Sequence, residues 1–207
     1  MTAADGLTGR ERIVQQSFLL FLAQGYDATT MSQIVAASGM SKGAVYHHFA
    51  SKEELFHAAI DRYFVDLARS GASSEEVPLG FGEAVRRAAS AMTDGFAHVA
   101  SLGADLTAYY RFIFHAIDKR RSEVAAVLAE RLALLTAAAE RDGAARDTAG
   151  TSATAPAPND LARMAMATIE GAALLAAVED PERVREAVDE AVDRFVALVG
   201  GDRPNTM

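Results

Sequence analysis

Residues Thr29–Leu55 read TTMSQIVAASGMSKGAVYHHFASKEEL, and this stretch decides the fold. Thr30-Met31-Ser32-Gln33 has the form of a capping box, in which a hydroxyl and a side-chain carbonyl satisfy free amides of a first helical turn. It opens a short helix with Ile34 and Val35 inward, and Gly39 closes it. Ser41 caps a third helix running to about His48. Ser51-Lys52-Glu53-Glu54 is another capping box. It starts a long helix whose apolar stripe is Leu55, Phe56, Ala59, Ile60, Tyr63, Phe64 and Leu67. Two short helices joined at Ser38-Gly39-Met40-Ser41 have the spacing of a helix-turn-helix.

At 100° per residue, Val45 and Phe49 fall together on the third helix and should face the core. Gly43, Ala44, Tyr46 and His47 then share the opposite side. That side carries no charge, which is unusual for a surface left to water and suits one pressed against something. Gly43 would let a backbone come close, and Ala44 could touch a thymine methyl. Tyr46 and His47 could donate to phosphate or a base edge. Lys42 and Lys52 stand at helix starts, where free amides already favour an anion, and Thr30 could serve likewise. The competing reading is an ordinary three-helix hairpin with a glycine turn and core aromatics.

Outward from this stretch the pattern stays helical. Thr8-Gly9-Arg10-Glu11 is a further capping box, followed by Val14, Ser17, Phe18, Phe21 and Leu22 on one face. Gly25 ends that helix in a left-handed conformation. Residues 70–80 are turn-rich and predict a loop. Helical patterns follow at about 81–101, 105–119 and 123–141, and residues 144–158 predict a flexible connection. Asn159 or Asp160 caps the next helix, with Leu161, Met164, Ala165, Thr168, Ile169, Ala172 and Leu175 as its stripe. Asp180-Pro181-Glu182 starts the last, with Val184, Val188, Val192, Phe195 and Val199 inward, and Gly200-Gly201 ends it. The expectation is an all-α chain of about nine helices.

Composition narrows the function classes. The 207 residues hold 5 prolines and no cysteine, so disulfides, thiolate metal sites and a cysteine nucleophile are excluded. No HExxH spacing occurs, and the GxSxG spacing of Gly39–Gly43 lies between two short helices with no strand before it, so it is no nucleophile elbow. Pro78-Leu79-Gly80-Phe81-Gly82 follows no strand and precedes no lysine, so it is no phosphate loop. His98 and His115, with Asp105 and Glu170 elsewhere, read as structural groups rather than a metal or acid–base site. Lys119, Arg120 and Arg121 read as a solvated turn. An enzyme is not expected, and neither is a cofactor or metal. Met1–Arg12 lacks the apolar centre of a signal peptide, and no uninterrupted apolar run approaches a membrane span. The expectation is a cytoplasmic protein without membrane contact. Net charge is −8, yet residues 1–52 carry +1, which leaves −9 for the rest. An acidic body with a less acidic head fits contact with nucleic acid at one end, and fits many acidic enzymes equally.

Thr29–Phe49 and Ser51–Leu55 resemble, almost position for position, the DNA-binding region of the tetracycline-repressor-like (TetR) family; the first helix and Gly25-Tyr26 resemble it too. Farther along, Ile169–Leu175 is similar to a stretch of the family's penultimate helix. The resemblance implies a three-helix DNA-binding head at 1–52 and a helical effector-binding and dimerisation domain at 53–207. It implies a repressor that binds a pseudo-palindromic operator in double-stranded DNA as a homodimer and is released by a small molecule. Thr30, Ser41, Lys42, Gly43, Ala44, Tyr46, His47 and Lys52 are the expected DNA contacts. The C-terminal helices supply aromatics, Met and Ala, so the effector is expected to be mainly apolar. Candidate lining residues are Met92, Phe96, Tyr109, Tyr110, Phe112, His115, Met164 and Ile169. Dimerisation is expected through the last two helices, at Met166, Leu174, Val188, Val192 and Phe195. An all-helical enzyme and a protein-docking module remain the alternatives.

Overall fold

The computed structural model describes residues 6–66, 69, 79–148 and 156–200, and every regular element among them is helical. The described α-helices are nine: α1 (Gly9–Gln24), α2 (Met31–Ser38), α3 (Lys42–His48), α4 (Lys52–Ile60), α5 (Phe81–Ser101), α6 (Leu106–Lys119), α7 (Arg121–Thr148), α8 (Pro158–Glu179) and α9 (Val184–Gly200). A π turn, Asp61–Val65, continues α4, and a 3-10 turn, Pro181–Arg183, leads into α9. The chain gathers into two compact units, Met1–Leu67 with Ala97–Val124 and Ala68–Phe96 with Ala125–Met207. These units do not follow chain order, so they differ in kind from the division at residue 52, which is one of expected function.

In the first unit the caps form much as their residue types dictate. Thr8 and Thr30 each close a reciprocal box with Glu11 and Gln33. Ser51 accepts from the Glu54 amide, but the Glu54 carboxylate accepts from Ala50 N–H at 2.8 Å rather than from Ser51, so that box closes one residue early. Gly39 is left-handed at φ 67°, ψ 15°. Gly25 also takes a positive φ, 83°, but with ψ 164° it is extended rather than left-handed helical. The expected α1 stripe is buried throughout. Phe18 stacks on Tyr63 at 3.9 Å and meets the Phe112 ring edge-on at 5.1 Å, which fastens α4 and α6 onto α1. Tyr109 Oη donates to the Tyr63 carbonyl at 2.9 Å, inside the π turn. Phe64 is only half-buried, and Leu67 lies outside the described residues.

In the second unit α8 and α9 pack on each other, Phe81 meets Phe195 at 6.3 Å, and Arg86 pairs with Asp193 at 2.9 Å. Three expectations are corrected here. Helix α7 runs on to Thr148, into the stretch read as a flexible connection; residues 149–155 lie outside the described ones. Helix α8 starts at Pro158 behind Ala157, with no side-chain cap from Asn159 or Asp160. Its inward face is Leu161, Ala162, Ala165, Met166, Ile169, Ala173, Ala176 and Ala177, whereas Met164 and Leu175 are exposed. Helix α8 is long and apolar enough by length and composition to cross a membrane, but 44% of that window is buried inside the protein. In α9, Val184, Val188, Val192 and Phe195 are buried and Val199 is half-buried; of the predicted expected loop and ends, residues 70–78 and Gly201 lie outside the described residues.

Glu11 carries a pH dependence. Its carboxylate accepts from the Thr8 amide and hydroxyl, both at 2.9 Å, and from Arg62 at 3.0 Å, and these bonds lower its pKa from 4.5 to about 2. A depressed carboxylate stabilises the fold above its unfolded pKa, and that contribution is lost as pH falls through the folded value. Stability should therefore fall between pH 4.5 and 2, and Glu11→Gln should flatten that part of the profile. Urea midpoints measured from pH 6 to pH 2 check this; identical slopes for the two proteins would contradict it.

Candidate nucleic-acid interface

Helix α3 presents the face that its spacing predicts. Val45 and Phe49 are 0% and 1% exposed, so the helix is anchored on one side. Gly43, Tyr46 and His47 are exposed and Ala44 is half-buried, with Lys42 exposed at the first turn. Lys42 Nζ lies 5.8 Å from the Tyr46 ring centroid, one turn on, so the charge and the phenol border the same surface. Apart from its chain neighbours and its own helix backbone, no heavy atom of the described residues comes within 4 Å of where a Gly43 Cβ would stand. Ser41 Oγ accepts from the Ala44 amide at 3.2 Å, which leaves its own proton for another acceptor. The Thr30 proton is engaged, because its hydroxyl donates to Gln33 Oε1 at 3.0 Å.

Lys52 is held in a way its position in the sequence does not reveal. Its ammonium donates to the Tyr26 carbonyl at 2.7 Å and the Asp27 carbonyl at 3.4 Å, and sits 4.2 Å from the Tyr26 ring centroid. An ammonium has three protons, so two carbonyls leave one for a phosphate. The Tyr26 hydroxyl is pushed above its usual pKa, first by burial and then by the Glu53 and Asp27 carboxylates. Two contributors escaped the sequence reading. Tyr26 supports Lys52 across 26 residues, and Arg10, on α1, places its guanidinium 4.9 Å from the Phe49 ring centroid at the end of α3. Neither carries a local signal, because each meets its partner only when the helices pack.

The expected effector-lining residues divide between the two units. In the first, Tyr109 and Phe112 are buried, Tyr110 is half-buried, and His115 is half-buried between Tyr26 at 5.0 Å and Phe56 at 5.1 Å. Phe112 and His115 line a cleft of about 370 Å³ beside the Lys52 tie. In the second, Met92 and Ile169 are buried and Phe96 is half-buried, while Met164 is 47% exposed, away from the α8 core face. The expected dimer residues are corrected in part. Met166, Val188, Val192 and Phe195 are buried within their own chain, because periodicity picks out the stripe that builds the intramolecular core. Leu174 is exposed, and it continues a row on α8 with Met164, Leu175 and Val178.

Residues 13–59 match the family model described as bacterial regulatory proteins, tetR family. The chain is 46% identical over 54 residues to an uncharacterized HTH-type transcriptional regulator, YerO, of Bacillus subtilis (strain 168). That match covers 26% of this chain and 19% of the relative. It is 33% identical over 92 residues to the HTH-type transcriptional repressor ComR of Escherichia coli (strain K12), covering 44% and 41%. The chain thus spans less than half the length of these curated relatives. Over nearly the full length it is similar to the solved structure of SmeT, the repressor of the Stenotrophomonas maltophilia multidrug efflux pump SmeDEF. The identity is 25%, the TM-score is 0.64, and the match covers 97% of this chain and 96% of that one.

The open space at Gly43 separates folding from contact. Gly43→Ala should leave the fold intact or stabilise it by about 0.5–1 kcal/mol through helix propensity. The added methyl should still weaken duplex DNA binding at least about tenfold if a backbone must approach there. Urea unfolding and fluorescence anisotropy with DNA read the two effects separately; unchanged DNA binding would remove Gly43 from the interface.

Proposed function

Since this chain belongs to the tetR family of bacterial regulatory proteins, we propose that it is a DNA-binding transcriptional regulator, a repressor released from a pseudo-palindromic operator by a small, mainly apolar molecule. The observation that carries the reading is the uncharged outer face of α3, with Gly43, Tyr46 and His47 exposed on a helix anchored by Val45 and Phe49. Each protomer lays α3 in a major groove. Tyr46, His47 and Ala44 meet base edges, while Ser41, Lys42 and Lys52 meet phosphates, and Thr30 does so only by turning its hydroxyl away from Gln33. Residues 1–52 act as the DNA-binding part and 53–207 as the effector-binding and dimerising part. No catalytic step is proposed, and the site of action is the cytoplasm.

Two-fold pairing supplies the second head and makes the operator an inverted repeat. The exposed row Met164, Leu174, Leu175 and Val178 on α8 supports pairing through the last two helices, because so much apolar surface in line favours burial against a second copy. Effector release requires that the ligand bind two head arrangements unequally.

Selection of bound duplexes from a random pool at near-physiological salt tests the reading. An enriched inverted repeat, lost in the Tyr46→Ala/His47→Ala protein, is expected. No enrichment from a folded dimer would hand the α3 face to a protein partner instead. Lys42→Ala and Lys52→Ala should each weaken binding to all sequences and reduce the slope of log affinity against log salt by about one. An unchanged slope for Lys52→Ala would make it a structural tie only. Leu175→Glu should convert dimer to monomer in sedimentation; a dimer that persists would move the interface off this row.

A further inference from the structure

Gln33 does more in the structure than close the box that opens α2. Its Oε1 accepts from the Thr30 amide at 2.8 Å, from the Thr30 hydroxyl at 3.0 Å and from Gln24 Nε2 at 3.1 Å. A backbone amide can only donate, so the atom facing Thr30 is the oxygen, and this fixes which branch of the side-chain amide is which. Gln24 is itself held, because its Nε2 also donates to the Thr29 hydroxyl at 3.2 Å and the Ala28 carbonyl at 3.3 Å. The Gln33 nitrogen is therefore the branch turned away from these donors. Gln33 is exposed, and its two Nε2 protons meet no acceptor among the described residues. The surface around them is bare. Helix α2 exposes Ser32, Gln33, Ala36 and Ala37 and contains no charged residue. Helix α9, by contrast, exposes Arg185, Glu186, Asp189 and Glu190 to water. In a helix-turn-helix the helix before the recognition helix crosses the phosphate backbone. The small side chains of α2 let a strand come close, and Gln33 is the one long polar group among them.

We infer that Gln33 is a phosphate contact of the duplex, donating its Nε2 protons to phosphate oxygens while its Oε1 keeps the α2 cap. The contact rests on the DNA-binding reading above and deepens it by naming the group of α2 that touches the strand. It also relates Gln33 to Thr30. The Thr30 proton is engaged by Gln33, and Gln33 offers two protons of its own in its place. The same geometry excludes the bidentate reading of adenine, which needs a free donor and a free acceptor on one side-chain amide, because this acceptor already takes three bonds. Gln33 is neutral and so differs from Lys42 and Lys52. It releases no counterion, and its loss lowers affinity without changing the dependence on salt.

The test measures affinity of the full chain for the selected operator by fluorescence anisotropy. One phosphate at a time, in both half-sites, is replaced by a neutral methylphosphonate. Gln33→Met removes the donors and should weaken the intact operator about tenfold, as a hydrogen bond to a charged group implies, with an unchanged salt slope. At one phosphate the methylphosphonate should cost the parent about tenfold and Gln33→Met less than about twofold, because both changes remove the same bond. Gln33→Glu keeps an oxygen for the cap, as Glu11 does at α1, so its unfolding midpoint should match or exceed the parent's. Its affinity should nevertheless fall at least about tenfold and recover in part at that same methylphosphonate. Losses that add at every phosphate would make Gln33 a cap alone and overturn the contact, as would Gln33→Glu binding as tightly as the parent. In either case the parent still binds the operator and the regulator reading stands. A parent that binds no duplex would remove that reading and the contact together.

Discussion

The Phe18 ring is the constraint on which the first unit depends. It is wholly buried, flat against Tyr63 and edge-on to Phe112, so one side chain of α1 fixes both the continuation of α4 and the α6 helix. Aromatic pairs in these geometries add directional preference to area burial, and directional contacts set helix positions more sharply than aliphatic ones. The Tyr109 hydroxyl reinforces the arrangement on a carbonyl of the π turn, and Arg120 pairs with Asp61 at 2.8 Å, which ties the far end of α6 to the same turn. Helix α6 lies some 40 residues beyond α4 in the chain, yet it belongs to the same compact unit. The three short helices that carry the candidate contact residues thus belong to a unit whose other part the sequence supplies much later.

The second unit follows a different rule. Where α8 meets α9, the buried side of α8 is rich in alanine, and its larger leucines and methionines are partly left outside. Small side chains allow close axial approach, so the intramolecular contact selects alanine, and the bulky residues face away. This explains why a periodicity argument that favours the largest apolar residues assigned Met164 and Leu175 inward. It also explains how one helix presents apolar surface on two sides, one built into the core and one exposed.

Lys52 shows how a tertiary contact changes the meaning of a residue. In the sequence it is a cation at a helix start, which suits an anion. In the structure the same ammonium is bound to two loop carbonyls and to the Tyr26 ring, so its charge stabilises the α1–α2 connection whether or not DNA is present. Nothing local in a helix-one arginine points to α3, yet the Arg10 guanidinium lies over the Phe49 ring.

What the sequence determined by itself is local. The threonine and serine caps, the αL Gly39, the inward stripes of α1 and α9 and the bare outer face of α3 all follow from interactions within about four residues, where backbone geometry leaves few alternatives. What only the tertiary structure decided depends on which surfaces meet. The π turn at Asp61–Val65, the rotation of α8, the Lys52–Tyr26 tie and the cleft beside His115 join partners whose separation in the chain, or lack of amphipathic contrast, leaves no periodic trace. Side-chain packing across helices resolves these choices, because the energy differences that select them exist only once the helices are in contact.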